Sequence, residues 1–174
     1  MILSRQVLSM PEILMTRDSL DHIPRFELPA PYTLRWYQLG DEQHWTAIHL
    51  EADPLNDITP GLFRQQFGHD EAALAQRQAY LVDGDGTPVG TASAWWDDPT
   101  QPEFAGYGRV HWVAIYSAHQ GKGLSRPLLG AVLERLRELG YTRAYLDTDT
   151  ERHAAVRLYE RFGFVRQPLA SSPG

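Results

Sequence analysis

The sequence predicts one α/β domain of the α+β kind, a single mixed and mostly antiparallel sheet with helices on both faces. Three observations carry this. Strand-like and helix-like segments follow one another in the order β-α-α-β-β-β-α-β-α. Asp83-Gly84-Asp85-Gly86 sits between two apolar runs, a strong signal for an antiparallel hairpin. The segment 110–148 reads strand, glycine loop, helix, strand, which requires a parallel, right-handed crossover. With 174 residues there is enough chain for one domain with a substantial core and too little for two.

The elements follow in order. Residues 1–31 are broken by Pro11, Pro24, Pro29 and Pro31. They read as an N-terminal extension wrapping the domain proper at 32–174, with a short strand at Ile13-Leu14-Met15. Tyr32–Leu39 alternates and is rich in aromatic residues, so it reads as a strand. Asp41 is placed to cap a helix over Glu42–Glu51, and a second helix is expected over 60–77. Tyr80-Leu81-Val82 and Pro88–Trp96 form the hairpin. Asp97–Gly108 is a polar loop. Val110–Tyr116 is β-branched and apolar on both faces, so it belongs at the centre of the sheet. Leu128, Leu129, Val132, Leu133 and Leu136 make one apolar face of a helix over 126–139, with Pro127 in its first turn and Gly140 at its end. Tyr145–Thr148 is a strand. Thr150 is placed to cap a last helix through Phe162, stopped by Gly163.

Composition narrows the function. The net charge of -6 argues against a nucleic-acid partner. No run is long enough for a membrane span, and Met1–Met10 does not read as a signal peptide, so a cytoplasmic protein is expected. There is no cysteine, which removes disulfides and thiolate chemistry. His44 and His49 lack a metal-ligand pattern and there is no HExxH, so no metal is expected. Of sixteen basic residues fifteen are Arg, and the single Lys is Lys122.

Lys122 lies in the segment that carries most chemistry, Gln120-Gly121-Lys122-Gly123-Leu124-Ser125. A helix start leaves amide N–H groups unpaired and partly positive, and glycine lets an anion approach them. Ser125 adds a hydroxyl donor, and Lys122 and Arg126 add charge. The Walker A pattern is absent because Gly123 follows Lys122. The dinucleotide pattern is absent because Arg126 stands where its last glycine belongs. Taken alone, the two glycines would favour a plain, tightly packed strand-to-helix turn.

Two motifs together make the chain resemble the GNAT superfamily of CoA-dependent N-acyltransferases. The family's loop Q/R-x-x-G-x-G/A is met by Gln120, Gly123 and Ser125, after a strand bearing Val113 and Ile115. Its second signature, L-x-V-x-x-x-N-x-x-A-x-x-L-Y followed by Gly-Phe, is met by Leu146, Thr148, Ala155, Leu158, Tyr159, Gly163 and Phe164. The resemblance spans roughly 79–164. It departs from the family at Ser125, at Arg152 in the place of a common Asn, and in the short tail after Phe164. That tail leaves no room for the usual final hairpin, so the N-terminal extension is expected to supply a replacement strand or to cover that sheet edge.

The resemblance implies acetyl-CoA as cosubstrate. The amides of Gln120 to Arg126 would hold its pyrophosphate, and the backbone of Val113, Ala114 and Ile115 would pair with its pantetheine arm, much as an added strand does. Arg152 stands where a pantetheine contact is usual. It further implies Tyr159 as the general acid for the leaving thiolate. His111, four residues before Ile115 and on the same strand face, is the candidate base, with Asp97, Asp98, Glu103 or a water chain as rivals. Trp95, Trp96 and Glu51 are candidates to line an acceptor pocket, and so are Trp45 and Asp53. The expected reaction moves an acetyl group directly to a primary amine of a small molecule or peptide, with no acyl-enzyme. A catalytically silent CoA-binding module and a site for another nucleotide stay open. So does oligomeric state, a homodimer being one outcome.

Overall fold

The computed structural model describes residues 12–168. The extension before Glu12, including Met1–Met10, and residues 169–174 lie outside the described residues. The strands are β1 (Glu12–Arg17), β2 (Thr33–Trp36), β3 (Gln78–Val82), β4 (Pro88–Trp95), β5 (Gly108–Ile115), β6 (Ala144–Asp149) and β7 (Val165–Arg166). The helices are α1 (Asp41–Ala52), α2 (Leu62–Phe67), α3 (Glu71–Arg77), α4 (Ser125–Glu138) and α5 (His153–Arg161). One seven-stranded sheet runs β2-β3-β4-β5-β6-β1-β7. Every pairing in it is antiparallel except β5 with β6. β5 is the fourth strand of seven, the central place its two apolar faces predicted. No helix among the described residues is long and apolar enough to cross a membrane.

Alternation along the strands divides the core between two faces. Ala79 and Leu81 of β3 join Leu128, Leu129, Val132 and Leu136 of α4 on one side. Tyr80 and Val82 join Trp45 of α1 with Phe63 and Phe67 of α2 on the other. Each cluster buries the apolar stripe of a helix against the sheet, which is what makes these short elements stable together.

β1 enters the sheet between β6 and β7, pairing Glu12 to Arg17 with Asp149 to Ala144 and Met15 and Thr16 with Arg166 and Val165. It is the strand expected from Ile13-Leu14-Met15, and it makes part of the sheet beyond β6. Arg17 anchors its end: the buried guanidinium donates to the carbonyls of Ser19, Asp21 and Phe162, the last at the C-terminus of α5.

Three local expectations need correction. The helix expected over 60–77 is two helices, because Gly68 at φ 71 leaves the helical region and Asp70 starts α3 by accepting from the Ala73 amide. Asp41 is the first residue of α1, and Gly40 holds the cap position. The Asp41 carboxylate instead accepts from the Gln38 amide at 2.7 Å and from Arg35. Thr150 does not cap α5. The chain first makes a turn, with the Arg152 amide donating to the Asp149 carbonyl, and the helix begins at His153.

Candidate active site

β5 and β6 are paired only at Gly108↔Ala144 and Arg109↔Tyr145. Beyond those residues β5 stays with β4 as far as Gly90↔Ile115, and β6 stays with β1 as far as Glu12↔Asp149. The two central strands are therefore held apart by their other partners. A cleft of about 370 Å³ opens between them, lined by Val110, His111, Trp112 and Val113 of β5 and by Asp147, Thr148 and Asp149 of β6. Arg152, Ala155 and Tyr159 close one side, while Asp53, Asn56 and Gln66 close another.

A β-bulge shapes the β5 wall. Thr91 pairs with Ala114 but Ser93 pairs with His111, so β5 carries one residue more than β4 there, and Trp112 takes φ 51. The expected shared face of His111 and Ile115 is corrected by this extra residue. Val110, Val113 and Ile115 pack on the α4 side, whereas His111 and Trp112 pack against Phe67 and Trp45 of the α1–α2 side.

Downstream of β5 the glycine loop leads into α4. Gly121 and Gly123 have φ 74 and 77, and the space beside each Cα is open. Among the described residues no side chain caps the start of α4, so its first amides lack a capping partner. Gln120 ties the loop to the strand by donating from Nε2 to the Ile115 carbonyl at 2.8 Å. Lys122 Nζ lies 3.4 Å from the Tyr32 hydroxyl, which bonds His119 at 2.8 Å, and Arg126 stacks over Phe26. The N-terminal segment thus borders the loop.

Tyr159 reaches the cleft from α5 and is nearly buried. Burial pushes its phenol up to about 12, so it is fully protonated at neutral pH. His111 is also buried, and desolvation with nearby Arg109 and His49 holds its imidazole well below the ordinary value, hence neutral. Arg152 is tied to Asp53 at 2.6 Å and to Asp149 at 3.1 Å, joining the end of α1 to the end of β6 across the cleft. Arg109 holds Asp147 at 2.7 Å and Asp98 at 3.5 Å. Five carboxylates, of Glu12, Asp53, Asp98, Asp147 and Asp149, line the cleft against these two guanidinium groups.

The fold thus brings Tyr159, His111, Val113, Arg152, Asp53 and Asp98 to one cleft. Other candidates lie elsewhere. Glu51 is exposed and accepts from the Ser117 amide at 3.0 Å, before the glycine loop. Trp95 packs on Phe67 in the core, and Trp96 lies under the Arg77 guanidinium at 3.6 Å. Trp45 is fully buried. Gln66, Asn56, Arg109 and Asp147 line the cleft without having been singled out in the sequence. Among the described residues no group of three or more His, Cys, Asp or Glu is arranged to hold a metal ion.

The geometry is that of an acyltransferase fold with a split sheet, and comparison with known proteins agrees. The profile of the Acetyltransferase (GNAT) family matches residues 20–164. A mycothiol acetyltransferase of Parafrankia sp. (strain EAN1pec) is 32% identical over 163 residues, covering 84% of this chain and 50% of that protein. One from Thermobispora bispora is 32% identical over 162 residues, covering 87% and 52%. The crystal structure of a GCN5-related N-acetyltransferase from Sphaerobacter thermophilus superposes with a TM-score of 0.72 at 25% identity, over 91% of this chain and 49% of that one. The ribosomal-protein-S18-alanine N-acetyltransferase from Escherichia coli shares the fold with a TM-score of 0.64 at 19% identity, over 79% of each chain.

The chain belongs to the GNAT acetyltransferase family. It spans about half the length of the curated relatives it matches.

Proposed function

We propose that this chain transfers the acetyl group of acetyl-CoA to a primary amine of a small molecule or peptide. The observation that carries the reading is the cleft opened where β5 and β6 part beyond Arg109 and Tyr145, on the strand that leads to the uncapped start of α4. Phosphates suit the loop amides at 121–126. The amide-bearing arm suits the edge of β5 that β6 leaves unpaired, around Val113 and Ala114. This sets the thioester in the cleft beside Tyr159. An amide N–H on that edge would face the carbonyl oxygen as charge develops on it. The acceptor nitrogen attacks the carbonyl carbon, the C–S bond breaks, and the thiolate takes the proton of Tyr159. A phenol held near 12 stays protonated at neutral pH, so its proton is in place when the thiolate leaves. His111 accepts the proton that the amine gives up. The excess of carboxylates in the cleft favours an acceptor arriving as a cation, as amines do at neutral pH. The relatives named mycothiol acetyltransferase put a small-molecule acceptor first in order of trial.

The test has two parts. Acetyl-CoA, but not ATP or NAD, raises the melting temperature. Thiol release from acetyl-CoA with a panel of amines then identifies the acceptor. Stabilisation without turnover on any amine would leave a CoA-binding module and overturn the catalytic reading.

A further inference from the structure

Gln66 of α2 sits where two donors converge. Its Oε1 lies 3.0 Å from Trp112 Nε1 and 3.1 Å from His111 Nε2. An indole nitrogen can only donate, so the amide must present its oxygen to Trp112. The same oxygen then requires a proton on His111 Nε2. This fixes the tautomer of the neutral imidazole: Nε2 carries the hydrogen, and Nδ1 holds its one lone pair. Gln66 itself lines the cleft with His111 and Trp112.

We propose that Gln66 is a positioning residue for acetyl transfer. Its carbonyl holds His111 in the Nε2–H form, so that Nδ1 is the atom that takes the amine's proton, and it ties the base to the bulge that shapes the thioester wall. The inference rests on the reading of His111 as base. The acceptor first gives its extra proton to solvent and attacks as the neutral amine, its lone pair making the new C–N bond. One N–H bond then breaks as the Nδ1–H bond forms, C–S breaks, and the thiolate takes the proton of Tyr159. Solvent then carries one proton from His111 back to Tyr159, leaving both residues as they began. While His111 is cationic, its Nε2–H bond to Gln66 is charge-assisted and stronger. One side chain thereby sets both the tautomer and the orientation of the base, a role that a carboxylate plays in hydrolase triads. A neutral amide suits a pocket already holding the charges that face His111, namely Arg109 on its own strand and, around the cleft, Asp98, Asp147, Asp53 and Arg152. His49 of α1 and Tyr159 of α5 are the titratable groups nearby.

Two measurements test it. Nitrogen-15 NMR of the full chain at pH 7, with His111 assigned by His111→Ala, is expected to show a protonated Nε2 and an unprotonated Nδ1. In Gln66→Leu this preference is lost. An Nδ1–H form in the wild type, or an unchanged tautomer in folded Gln66→Leu, overturns the proposal. The second measurement is the pH profile of kcat/KM with acetyl-CoA and the best amine found in the acceptor panel. Gln66→Glu keeps the shape and adds a carboxylate beside the imidazole. It is expected to move the acidic limb upward by about one to three pH units, as an opposite charge at this range does. If that limb stays in place in Gln66→Glu but vanishes in His111→Ala, the base stands and the role of Gln66 fails. If it persists in His111→Ala, the reading of the base fails first.

Discussion

Replacing Arg152 by Ala is expected to destabilise the fold by about 2–3 kcal/mol at pH 7. The estimate starts from Asp53, whose side chain is only 2% exposed. Its carboxylate accepts from Arg152 at 2.6 Å, from Asn56 Nδ2 at 2.8 Å, and from the Leu55 and Asn56 amides at 3.2 and 3.3 Å. Removing one partner of a buried pair costs roughly 3–5 kcal/mol because a charge is left without compensation. Here three donors remain, and Arg152 is itself 25% exposed, so the lower figure applies. For a chain of this size the loss corresponds to a fall in Tm of about 4–12 °C. The pH dependence gives a second check. Burial pushes the Asp53 carboxyl up, but Asn56 and Arg152 more than offset this and leave it below its ordinary value. A depressed carboxyl contributes stability that is full above the ordinary value of about 3.9 and is lost as pH falls through the folded value. The gap between wild type and Arg152→Ala should therefore be full at pH 7 and narrow below about pH 4. Adding Asp53→Asn should restore part of the loss, since no buried charge then lacks its partner. Urea and thermal unfolding followed by circular dichroism measure all of this. A loss under about 0.5 kcal/mol at pH 7, the size of an ordinary surface substitution, refutes the argument.

Three further outcomes follow from the same geometry. Tyr159→Phe should lower kcat by about 10²–10⁴ while acetyl-CoA still raises the melting temperature, because a proton donor is lost and the binding surface is kept; full activity would remove Tyr159 from the role of acid. Gly123→Val forces a β-branched residue to φ 77, costing about 1–2 kcal/mol, and crowds the open space before α4, so stabilisation by acetyl-CoA should disappear in the melting assay. His49 is buried, and desolvation lowers its imidazole to about 4. Its neutral form is therefore the folded form: stability is full above about pH 6.5, where the unfolded imidazole is neutral too, and falls by roughly 3 kcal/mol as pH drops to 4. His49→Phe should flatten that part of the stability–pH curve, and an unchanged slope would remove His49 as its source.

Local signals were legible in the sequence wherever partners are neighbours along the chain. The Asp83–Thr87 turn follows from one side chain, with Asp83 accepting from the amides of Asp85 and Thr87. The α4 stripe and the glycine loop could likewise be read because spacing alone defines them. What could not be read depends on residues far apart. Arg152 finds Asp53 across 99 positions, and Gln66 meets His111 across 45. The bulge at Trp112 left no mark either. A tryptophan at φ 51 goes against local preference and is held by Trp45, His49 and Gln66 around it. Because the bulge was hidden, simple alternation put His111 on the wrong face of β5. The helix break at Gly68 was marked by its glycine and by Asp70 two residues on, but the apolar residues on either side read as one continuous stripe.

The insertion of β1 between β6 and β7 has a consequence for how the molecule comes into being. The strand leaves the ribosome well before its partners, since Met15 pairs with Leu146 and Arg166, 131 and 151 residues further on. Until those are made, Glu12–Arg17 has open backbone edges on both sides and no place to dock. The half of the sheet from β2 to β5 can assemble first, since its contacts are short in sequence. The far wall of the cleft cannot, because β6 is held away from β5 only once β1 is beside it. Chains interrupted before residue 144 therefore lack the cleft altogether, and long-range pairing is expected to set the pace at which the finished protein matures.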